Sequence, residues 1–277
     1  MYRTGLIGRS ILASRSPWLH EQEARAQGLE LSYELFDFTQ RELGDAELGP
    51  LLRRLADDGF CGVNITFPFK QAVIPLLDEL AESAEMVGAV NTVEMRGGRL
   101  IGHNTDMTGF RTSLDLGLPG RAQGRVLQLG AGGAGAAVAN ALLSLGTGHL
   151  EIADMDRARA AALATKLTAR FGEARVSALD LASIDTAAID GIVNTTPMGM
   201  AANPASAITP ELIEPRHWVA DIVYFPLETE MLRIARSKGC RVLDGSGMVV
   251  AQAALAFEIF TGHAADTARM HRSFVSS

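Results

Sequence analysis

Short apolar runs alternate with longer amphipathic stretches along most of the chain. Runs of a few residues rich in Val, Ile and Leu predict buried strands, and the longer Ala- and Leu-rich stretches between them predict helices. The predicted strands are residues 4–8, 31–38, 62–66, 126–129, 149–153, 175–178, 191–194, 218–222 and 241–243. Strands that alternate with helices at this spacing predict an α/β fold with parallel sheets covered by helices on both faces.

The helices predicted from the same pattern have recognisable ends. Ser16 before Pro17 is a start signal, with a capping residue preceding a proline in the first turn. The predicted helices are residues 18–28, 42–58, 71–87, 136–146, 157–171, 230–238, 248–262 and 266–274, with a further helix ending at 116. Residues 88–92 and 94–101, with a Gly-Gly turn inside the second run, predict a pair of strands at the edge of a sheet.

The length of 277 residues and the 47% hydrophobic composition suit two medium-sized domains. Residues 117–124, GLPGRAQG, are rich in glycine and proline and predict a linker. The first predicted domain comprises residues 1–106 and the C-terminal helices of residues 248–277, which must bury their apolar faces. The second comprises residues 107–247.

A glycine-rich turn follows the predicted strand at residues 126–129. Gly130, Gly132 and Gly135 have the GxGxxG spacing of dinucleotide-binding turns, in which the glycines permit a tight turn, close approach of a pyrophosphate, and packing of helix on strand. The following helix offers free N–H groups and a positive dipole end to an anion. A lone GxGxxG is a weak signal, and a tight turn in another α/β protein is the alternative.

Asp154 strengthens the dinucleotide interpretation. It ends the next predicted strand, about 20 residues beyond the glycines, where this fold binds the ribose hydroxyls of NAD. Its charge would repel the 2′-phosphate of NADP, on the order of 4 kcal/mol per pair of unit charges at about 4 Å and a dielectric near 20. The predicted cofactor is therefore NAD rather than NADP, although Arg157 and Arg159 could hold a phosphate.

Charge and composition exclude several classes of function. The net charge of −7 and the lack of Lys/Arg clusters argue against nucleic acid as a partner. No signal peptide or membrane-spanning run is evident, so a cytoplasmic location is expected. The six histidines and two cysteines show no metal-ligand spacing, so no metal site is predicted. The expected partner is a small-molecule substrate, and a homodimer stays an open alternative.

A nicotinamide cofactor implies hydride transfer, and oxidation of a hydroxyl needs a group that takes its proton. Such a group should lie on a loop at the carboxyl end of a strand, where open parallel sheets bind ligands. Lys70, after the strand at residues 62–66, and Asp106, after the edge strands, meet this condition. Considered alone, Lys70 could be a solvated charge and Asp106 a helix cap.

Several motifs in one order make the chain resemble the shikimate dehydrogenase family along nearly its whole length. They are SRSP at residues 14–17 with His20, NITFPFK at 64–70, GAVNT at 88–92, NTD at 104–106, the glycine turn at 130–135, NTTPMGM at 194–200, DIVY at 221–224 with Pro226 and Thr229, and DGSGM at 244–248 with Gln252.

The resemblance implies a substrate-binding catalytic α/β domain, a Rossmann-type dinucleotide-binding domain, and a cleft between them. It implies reversible oxidation of the C3 hydroxyl of shikimate, with Lys70 and Asp106 as the catalytic pair. By the same resemblance, Ser14 and Ser16 bind the substrate carboxylate. The remaining implied substrate-binding residues are Asn64, Thr66, Asn91, Thr105, Tyr224 and Gln252. The predicted cofactor-binding residues are Gly130, Ala131, Gly132, Gly133, Ala134, Gly135, Asp154, Arg159, Thr195, Pro197, Met198, Val223, Gly245 and Met248.

Some residues depart from the commoner family pattern. Met107 follows the NTD motif where glycine is usual, Glu21 replaces an asparagine after His20, and Asp154 replaces the Asn-Arg-Thr of members that use NADP. These features resemble the NAD-preferring branch that handles quinate as well as shikimate. An aminoshikimate-type dehydrogenase and a non-catalytic metabolite-sensing homologue are the alternatives.

Overall fold

The computed structural model describes residues 1–276, which form two compact units. The first unit contains Met1–Gly109 and the C-terminal segment from Val250, and the second contains Phe110–Val249. Both units contain helices and a six-stranded sheet, so the α/β class predicted from the sequence is confirmed.

The strands are β1 Tyr2–Gly8, β2 Leu31–Asp37, β3 Gly62–Ile65, β4 Glu79–Leu80, β5 Thr92–Arg96, β6 Arg99–His103, β7 Arg125–Leu129, β8 His149–Ala153, β9 Val176–Leu179, β10 Gly191–Asn194, β11 Trp218–Asp221 and β12 Arg241–Leu243. The helices are α1 Ser16–Ala26, α2 Leu48–Asp57, α3 Glu82–Val87, α4 Asp106–Gly117, α5 Gly133–Ser144, α6 Arg157–Phe171, α7 Glu230–Ser237, α8 Ser246–Thr261 and α9 Thr267–Val275. Short 3₁₀ turns connect several of them.

The sheet of the first unit has the order β2-β1-β3-β5-β6-β4. β1 pairs in parallel with β2 and β3, whereas β5 is antiparallel to both β3 and β6. The parallel pairing predicted from the alternation of strands and helices therefore holds for β1, β2 and β3 but not for β5. The cause is the tight Gly97-Gly98 turn, where both glycines have positive φ and β5 turns directly into its antiparallel neighbour β6.

The sheet of the second unit is parallel throughout, in the order β12-β11-β10-β7-β8-β9. This is the doubly wound order. β7, β8 and β9 extend to one side of the sheet and β10, β11 and β12 to the other, so the strand order reverses between β7 and β10. The glycine-rich turn predicted from the sequence follows β7 directly. It therefore lies at the topological switch point, where such sheets bind ligands.

Each unit has its own apolar core. In the first, α2 buries Leu48, Leu51, Leu52 and Leu55, a helical stripe that packs into a cluster with Val63 and other strand residues. In the second, residues of β7, β10 and β11 pack with α7. Burial of such side chains is the main stabilising contribution, about 1.5–3 kcal/mol for each large aliphatic residue.

The helix predicted for residues 71–87 is wrong. The segment contains a 3₁₀ turn at Ile74–Leu76, then β4, and only then α3. Pro75 lacks the N–H that a continuous helix needs. Asp78 then binds β6. Its N–H donates to the Leu100 carbonyl at 2.9 Å, and its Oδ2 accepts the Leu100 N–H at 2.7 Å.

The linker predicted at residues 117–124 is also wrong. The border between the units falls within α4, after Gly109, and residues 117–124 belong to the second unit. They are held there by hydrogen bonds, including Trp218 Nε1 to the Ala122 carbonyl at 2.6 Å and the Gly148 N–H to the Gln123 carbonyl at 2.9 Å. Glycine and proline here shape a turn that is held by residues at the amino ends of β11 and β8.

Candidate active site

Lys70 and Asp106 meet in the first unit. Lys70 lies on the turn after β3, and Asp106 is the first residue of α4. The Lys70 Nζ lies 2.6 Å from Oδ2 of Asp106, and the two side chains are 20% and 7% exposed. Such a charge-assisted hydrogen bond, largely shielded from water, fixes both groups. An ammonium carries three donors, so a further acceptor can bind beside the carboxylate.

Neighbouring hydrogen bonds explain why the Asp106 side chain faces Lys70 instead of capping its helix. The Asn104 side chain takes the capping role, because its Oδ1 accepts the Met107 N–H at 3.2 Å while its Nδ2 donates to the Ala89 carbonyl at 2.9 Å. On the other side, the Lys70 carbonyl accepts the Val90 N–H at 2.7 Å. The Asp106 carboxylate is therefore left for side-chain partners.

Asn91 holds the second carboxylate oxygen. Its Nδ2 donates to Oδ1 of Asp106 at 2.9 Å and to Oγ1 of Thr105 at 2.8 Å. Its Oδ1 accepts the Thr105 N–H at 2.8 Å. Asn91, Thr105 and Asp106 are all at least 95% buried. Three of the predicted site residues thus form one hydrogen-bonded group with Lys70.

Sequence reasoning missed two residues that extend this group. Tyr33 donates its hydroxyl to Oδ1 of Asn64 at 2.8 Å. Asn64 Nδ2 donates to Oγ1 of Thr92 at 3.0 Å, and Thr92 donates to Oδ1 of Asn91 at 3.1 Å. Thr92 lies within the quoted GAVNT motif, which was the available signal. Nothing local marks Tyr33, because its partner lies 31 residues further along the chain.

Ser14 and Ser16 lie together on the loop into α1, with their hydroxyl oxygens 3.2 Å apart. The expected capping role of Ser16 is wrong, since it is the first helical residue and its N–H donates to the Ser14 hydroxyl at 3.3 Å. Asp37 anchors the preceding loop by accepting the N–H groups of Ser10 at 3.0 Å and Ile11 at 2.7 Å. Burial would raise the pKa of Asp37, but these and neighbouring backbone donors lower it overall.

The other predicted substrate-binding residues have different positions. Thr66 follows β3 and is half-buried, with its N–H bonded to the Ile7 carbonyl at 3.0 Å. Gln252 lies on the part of α8 that belongs to the first unit and is also half-buried. Tyr224 belongs to the second unit, where it follows β11 and is 40% exposed.

In the second unit, the glycine turn has the geometry that its spacing predicts. Gly130 has a φ of 101°, a conformation that favours glycine. A Cβ on Gly135 would lie 2.5 Å from the Gly130 carbonyl oxygen, so only glycine lets helix and turn pack here. A Cβ on Gly132 would meet no atom within 4 Å. The backbone at Gly132 is therefore open to the approach of a ligand.

Two side chains fix this turn through its carbonyl groups. The Thr195 hydroxyl shares its one proton between the carbonyls of Leu129 at 2.8 Å and Gly130 at 3.0 Å. Gln128, which sequence reasoning missed, is fully buried and donates Nε2 to the carbonyls of Gly130 at 2.8 Å and Gly135 at 2.9 Å. Its position on a buried strand hid it among apolar neighbours.

Asp154 is held against the glycine turn. Its Oδ2 accepts the Ala131 N–H at 2.7 Å, and its Oδ1 accepts the Asp156 N–H at 2.8 Å. Asp156 in turn caps α6 by accepting the Arg159 N–H at 3.1 Å. A half-buried carboxylate is thus fixed beside the turn, with free acceptor capacity for hydroxyl groups.

The loops after β10 and β11 are joined by a buried carboxyl group. Asp221 accepts Asn194 Nδ2 at 2.9 Å, the Val223 N–H at 3.0 Å and the Thr229 hydroxyl at 2.7 Å. Burial raises the pKa of Asp221 to about 6, although these three donors oppose the shift. Asn194 also donates to the Met198 carbonyl at 2.9 Å, which shapes the NTTPMGM loop.

The remaining predicted cofactor-binding residues also lie in the second unit. Val223 and Met248 are each 6% exposed. A Cβ on Gly245 would lie 2.5 Å from the Ile222 carbonyl oxygen, so glycine lets two chain segments approach closely. Pro197 is exposed and Met198 is half-buried on the loop after β10. Gly133 and Ala134 form the first turn of α5, and Arg159 lies exposed on α6.

No three His, Cys, Asp or Glu side chains among residues 1–276 are placed to share a metal ion. Within the same range, no helix combines the length and apolar character needed to cross a bilayer.

Comparison with known proteins identifies relatives over the full chain. Residues 6–93 match the family model described as shikimate dehydrogenase substrate binding domain, and residues 245–273 match the shikimate 5'-dehydrogenase C-terminal domain. The chain is 53% identical to a shikimate dehydrogenase (NADP(+)) of Streptomyces avermitilis, covering 97% of this chain and 93% of that protein. It is 46% identical to a quinate/shikimate dehydrogenase (NAD(+)) of Corynebacterium efficiens, covering 98% and 97%.

A solved structure shares the whole fold. Quinate dehydrogenase from Corynebacterium glutamicum in complex with NAD superposes with a TM-score of 0.92 at 44% identity, covering 100% of this chain and 99% of that one. Identity at this level along the full length of both proteins is decisive for family membership. The chain belongs to the shikimate dehydrogenase family.

Proposed function

We propose that the protein is an NAD-dependent dehydrogenase that reversibly oxidises the C3 hydroxyl of shikimate, and of quinate, to a ketone. The observation that carries the proposal is the Lys70–Asp106 contact of 2.6 Å in the unit that contains the substrate-binding family match. A lysine held by a carboxylate supplies the proton-transfer group that this reaction requires.

Lys70 has two tasks in this reaction. In the oxidation, its amine accepts the proton of the C3 hydroxyl at Nζ, and in the reduction its ammonium donates that proton to the ketone oxygen. Asp106 orients Nζ through Oδ2, while Asn91 fixes the same carboxylate through Oδ1. NAD, when bound, supplies the nicotinamide ring that takes the hydride from C3.

The polar residues of the first unit suit a cyclic hydroxy acid. We assign the paired hydroxyls of Ser14 and Ser16 to the substrate carboxylate, because both can donate and they lie side by side. We assign the ring hydroxyls to Asn64, Thr66, Asn91, Thr105 and Gln252 of this unit. A site that pairs each hydroxyl rejects analogues that would leave its polar groups unpaired.

The second unit is suited to bind the dinucleotide. The open backbone at Gly132 and the start of α5 fit a pyrophosphate, and the fixed Asp154 fits the ribose hydroxyls. We accordingly assign residues 107–247 as the dinucleotide-binding domain, and residues 1–106 with 248–277 as the catalytic domain.

The preference for NAD over NADP rests on the charges around Asp154. Its carboxylate is anchored by two backbone N–H groups, so it cannot easily turn away from a 2′-phosphate. The two arginines that could bind a phosphate already pair with carboxylates, Arg157 with Asp180 at 2.9 Å and Arg159 with Asp156 at 3.7 Å. A phosphate would have to compete with these pairs.

A direct assay tests the proposal. The purified protein is mixed with shikimate or quinate and either NAD or NADP, and reduced cofactor is followed by its absorbance. We expect turnover of both acids. Quinate differs from shikimate by one ring hydroxyl and one double bond, and a difference of this size gives only about 1–3 kcal/mol of discrimination between substrates. We also expect a higher kcat/KM with NAD. Absence of turnover with all four pairs would refute the proposed function.

A further inference from the structure

Tyr33 and Thr92 join the site residues of the first unit and have no role in the reaction described above. They are 6% and 0% exposed, so they act through other residues. We propose that both are positioning residues, which hold the side-chain amides of Asn64 and Asn91, and through Asn91 the carboxylate of Asp106, in a single orientation. The inference rests on the proposed function, because it assigns these residues a part in that reaction.

The orientation of the Asn64 amide follows from its neighbours. The Asn91 backbone carbonyl, 3.3 Å away, can only accept a hydrogen bond, so Nδ2 of Asn64 must face it. Oδ1 then faces the Tyr33 hydroxyl, which donates at 2.8 Å. A flipped amide would place oxygen against oxygen at the carbonyl. Tyr33 therefore stabilises the orientation in which Asn64 keeps one acceptor site for a ring hydroxyl.

The orientation of the Asn91 amide is fixed in the same way. The Thr105 N–H, 2.8 Å away, can only donate, and therefore faces Oδ1. The Asp106 carboxylate, 2.9 Å away, accepts from Nδ2. The orientation of Asn91 thus decides whether Asp106 has a donor on the side opposite Lys70.

Thr92 couples the two amides. Because Nδ2 of Asn64 donates to its hydroxyl oxygen at 3.0 Å, the single hydroxyl proton of Thr92 is available for Oδ1 of Asn91 at 3.1 Å. The directed chain runs from the Tyr33 hydroxyl through Asn64, Thr92 and Asn91 to Asp106. Removal of the Thr92 hydroxyl leaves a donor on one amide and an acceptor on the other without this partner, inside a buried region.

Thr92→Val tests the coupling with little change of shape. We expect kcat to fall about 10- to 100-fold, because Asp106 and Lys70 lose their fixed geometry. Thr92→Ser restores the hydroxyl and should restore kcat. Thr4→Val is the matched control, since Thr4 is a fully buried threonine of β1 in the same sheet, with its hydroxyl bonded only to the Ser32 carbonyl at 3.2 Å among residues 1–276. Its kcat should equal that of the wild type.

Tyr33→Phe tests the other end of this series of hydrogen bonds. We expect KM for shikimate to rise about 3- to 10-fold with little change of kcat, because Asn64 contacts substrate and Asp106 keeps its donor. If the two residues had only a structural role, both variants would have a lower melting temperature, but Thr92→Val would not lower kcat selectively and Tyr33→Phe would not raise KM selectively. If Thr92→Val does not fold, Tyr33→Phe decides, and an unchanged KM overturns the proposal.

The outcomes separate this inference from the proposed function. If the wild type oxidises neither shikimate nor quinate, the proposed function fails and the inference fails with it. If the wild type is active but Thr92→Val matches Thr4→Val in kcat, the proposed function stands and the positioning role is wrong. A fall of kcat in Thr92→Val that Thr92→Ser does not restore also contradicts the role of the hydroxyl.

Discussion

The candidate catalytic group of the first unit and the candidate dinucleotide site of the second unit are built from different parts of the polypeptide. In the first unit, side chains form the site, with Lys70, Asp106 and Asn91 joined by hydrogen bonds at 2.6 and 2.9 Å. In the second unit, the backbone forms the candidate dinucleotide site, through the positive φ of Gly130 and the open position at Gly132. Removal of one polar group in the first unit should therefore lower kcat, and addition of one carbon to the glycine turn of the second unit should weaken NAD binding.

The largest effect is expected from Lys70→Met. It removes the proton-transfer group, so kcat should fall about 10²- to 10⁴-fold. Because the glycine turn is built from other residues, the Kd for NAD measured by calorimetry should stay at the wild-type value. A kcat close to that of the wild type would show that Lys70 does not transfer the proton.

Addition of a single methyl group should divide the glycines into two classes. In Gly132→Ala the new Cβ meets no protein atom, so the melting temperature should hold while the Kd for NAD rises about 10- to 100-fold. In Gly135→Ala the Cβ would strike the Gly130 carbonyl, and stability should fall by about 1–3 kcal/mol. Equal NAD affinity in Gly132→Ala and the wild type would contradict the pyrophosphate assignment.

Asp154 is the exception within the second unit, a side chain in a site made of backbone. Asp154→Ser removes the charge and keeps an oxygen for the ribose. The ratio of kcat/KM for NADP to that for NAD should rise at least about tenfold, the equivalent of roughly 1.4 kcal/mol. An unchanged ratio would mean that other groups determine the cofactor preference.

The smallest effects concern stability against pH, and they should have opposite signs in the two units. His20 lies in the first unit, fully buried against the Tyr33 ring at 4.8 Å, and burial lowers its pKa to about 3. The unfolded chain therefore binds a proton that the folded chain rejects between pH 6.5 and about 3. His20 contributes stability above that window, and this contribution is lost as the pH falls through it.

Asp221 in the second unit should behave in the opposite way. Burial raises its pKa to about 6, so the folded chain holds a proton that the unfolded chain has released above about 4. Its contribution is present at low pH and is lost as the pH rises to about 6. Urea unfolding of His20→Phe and Asp221→Asn at pH 4.5 and 7.5 checks both signs. His20→Phe should reduce acid sensitivity and Asp221→Asn should increase it.

The features that sequence reasoning predicted well are those with a local cause. The parallel sheet of the second unit and its glycine turn follow from apolar periodicity and from glycine spacing. The proximity of Lys70 and Asp106 was suggested by their places after strands, whereas their roles, which the family resemblance implies, stay a prediction. The sheet and the glycine turn need only the residues of one strand-helix unit at a time, whereas the resemblance needs several motifs along nearly the whole chain.

The features that it missed depend on partners far away along the chain. Residues 71–87 carry a helical pattern, but Asp78 binds Leu100 and draws the segment into the sheet. Tyr33 and Gln128 lie on strands among apolar neighbours, and only the fold shows which amide or carbonyl each one contacts. Hydrogen-bond partners of buried polar residues are therefore the part of the site that required a structure.

The central claim is that a hydride leaves C3 of the substrate for the nicotinamide of NAD. Shikimate carrying deuterium at C3 is incubated with the protein and NAD, and the reduced cofactor is analysed by mass spectrometry. We predict that each reduced nicotinamide carries one deuterium from C3 and that Lys70→Met slows its appearance. Reduced cofactor that contains no deuterium would contradict the claim.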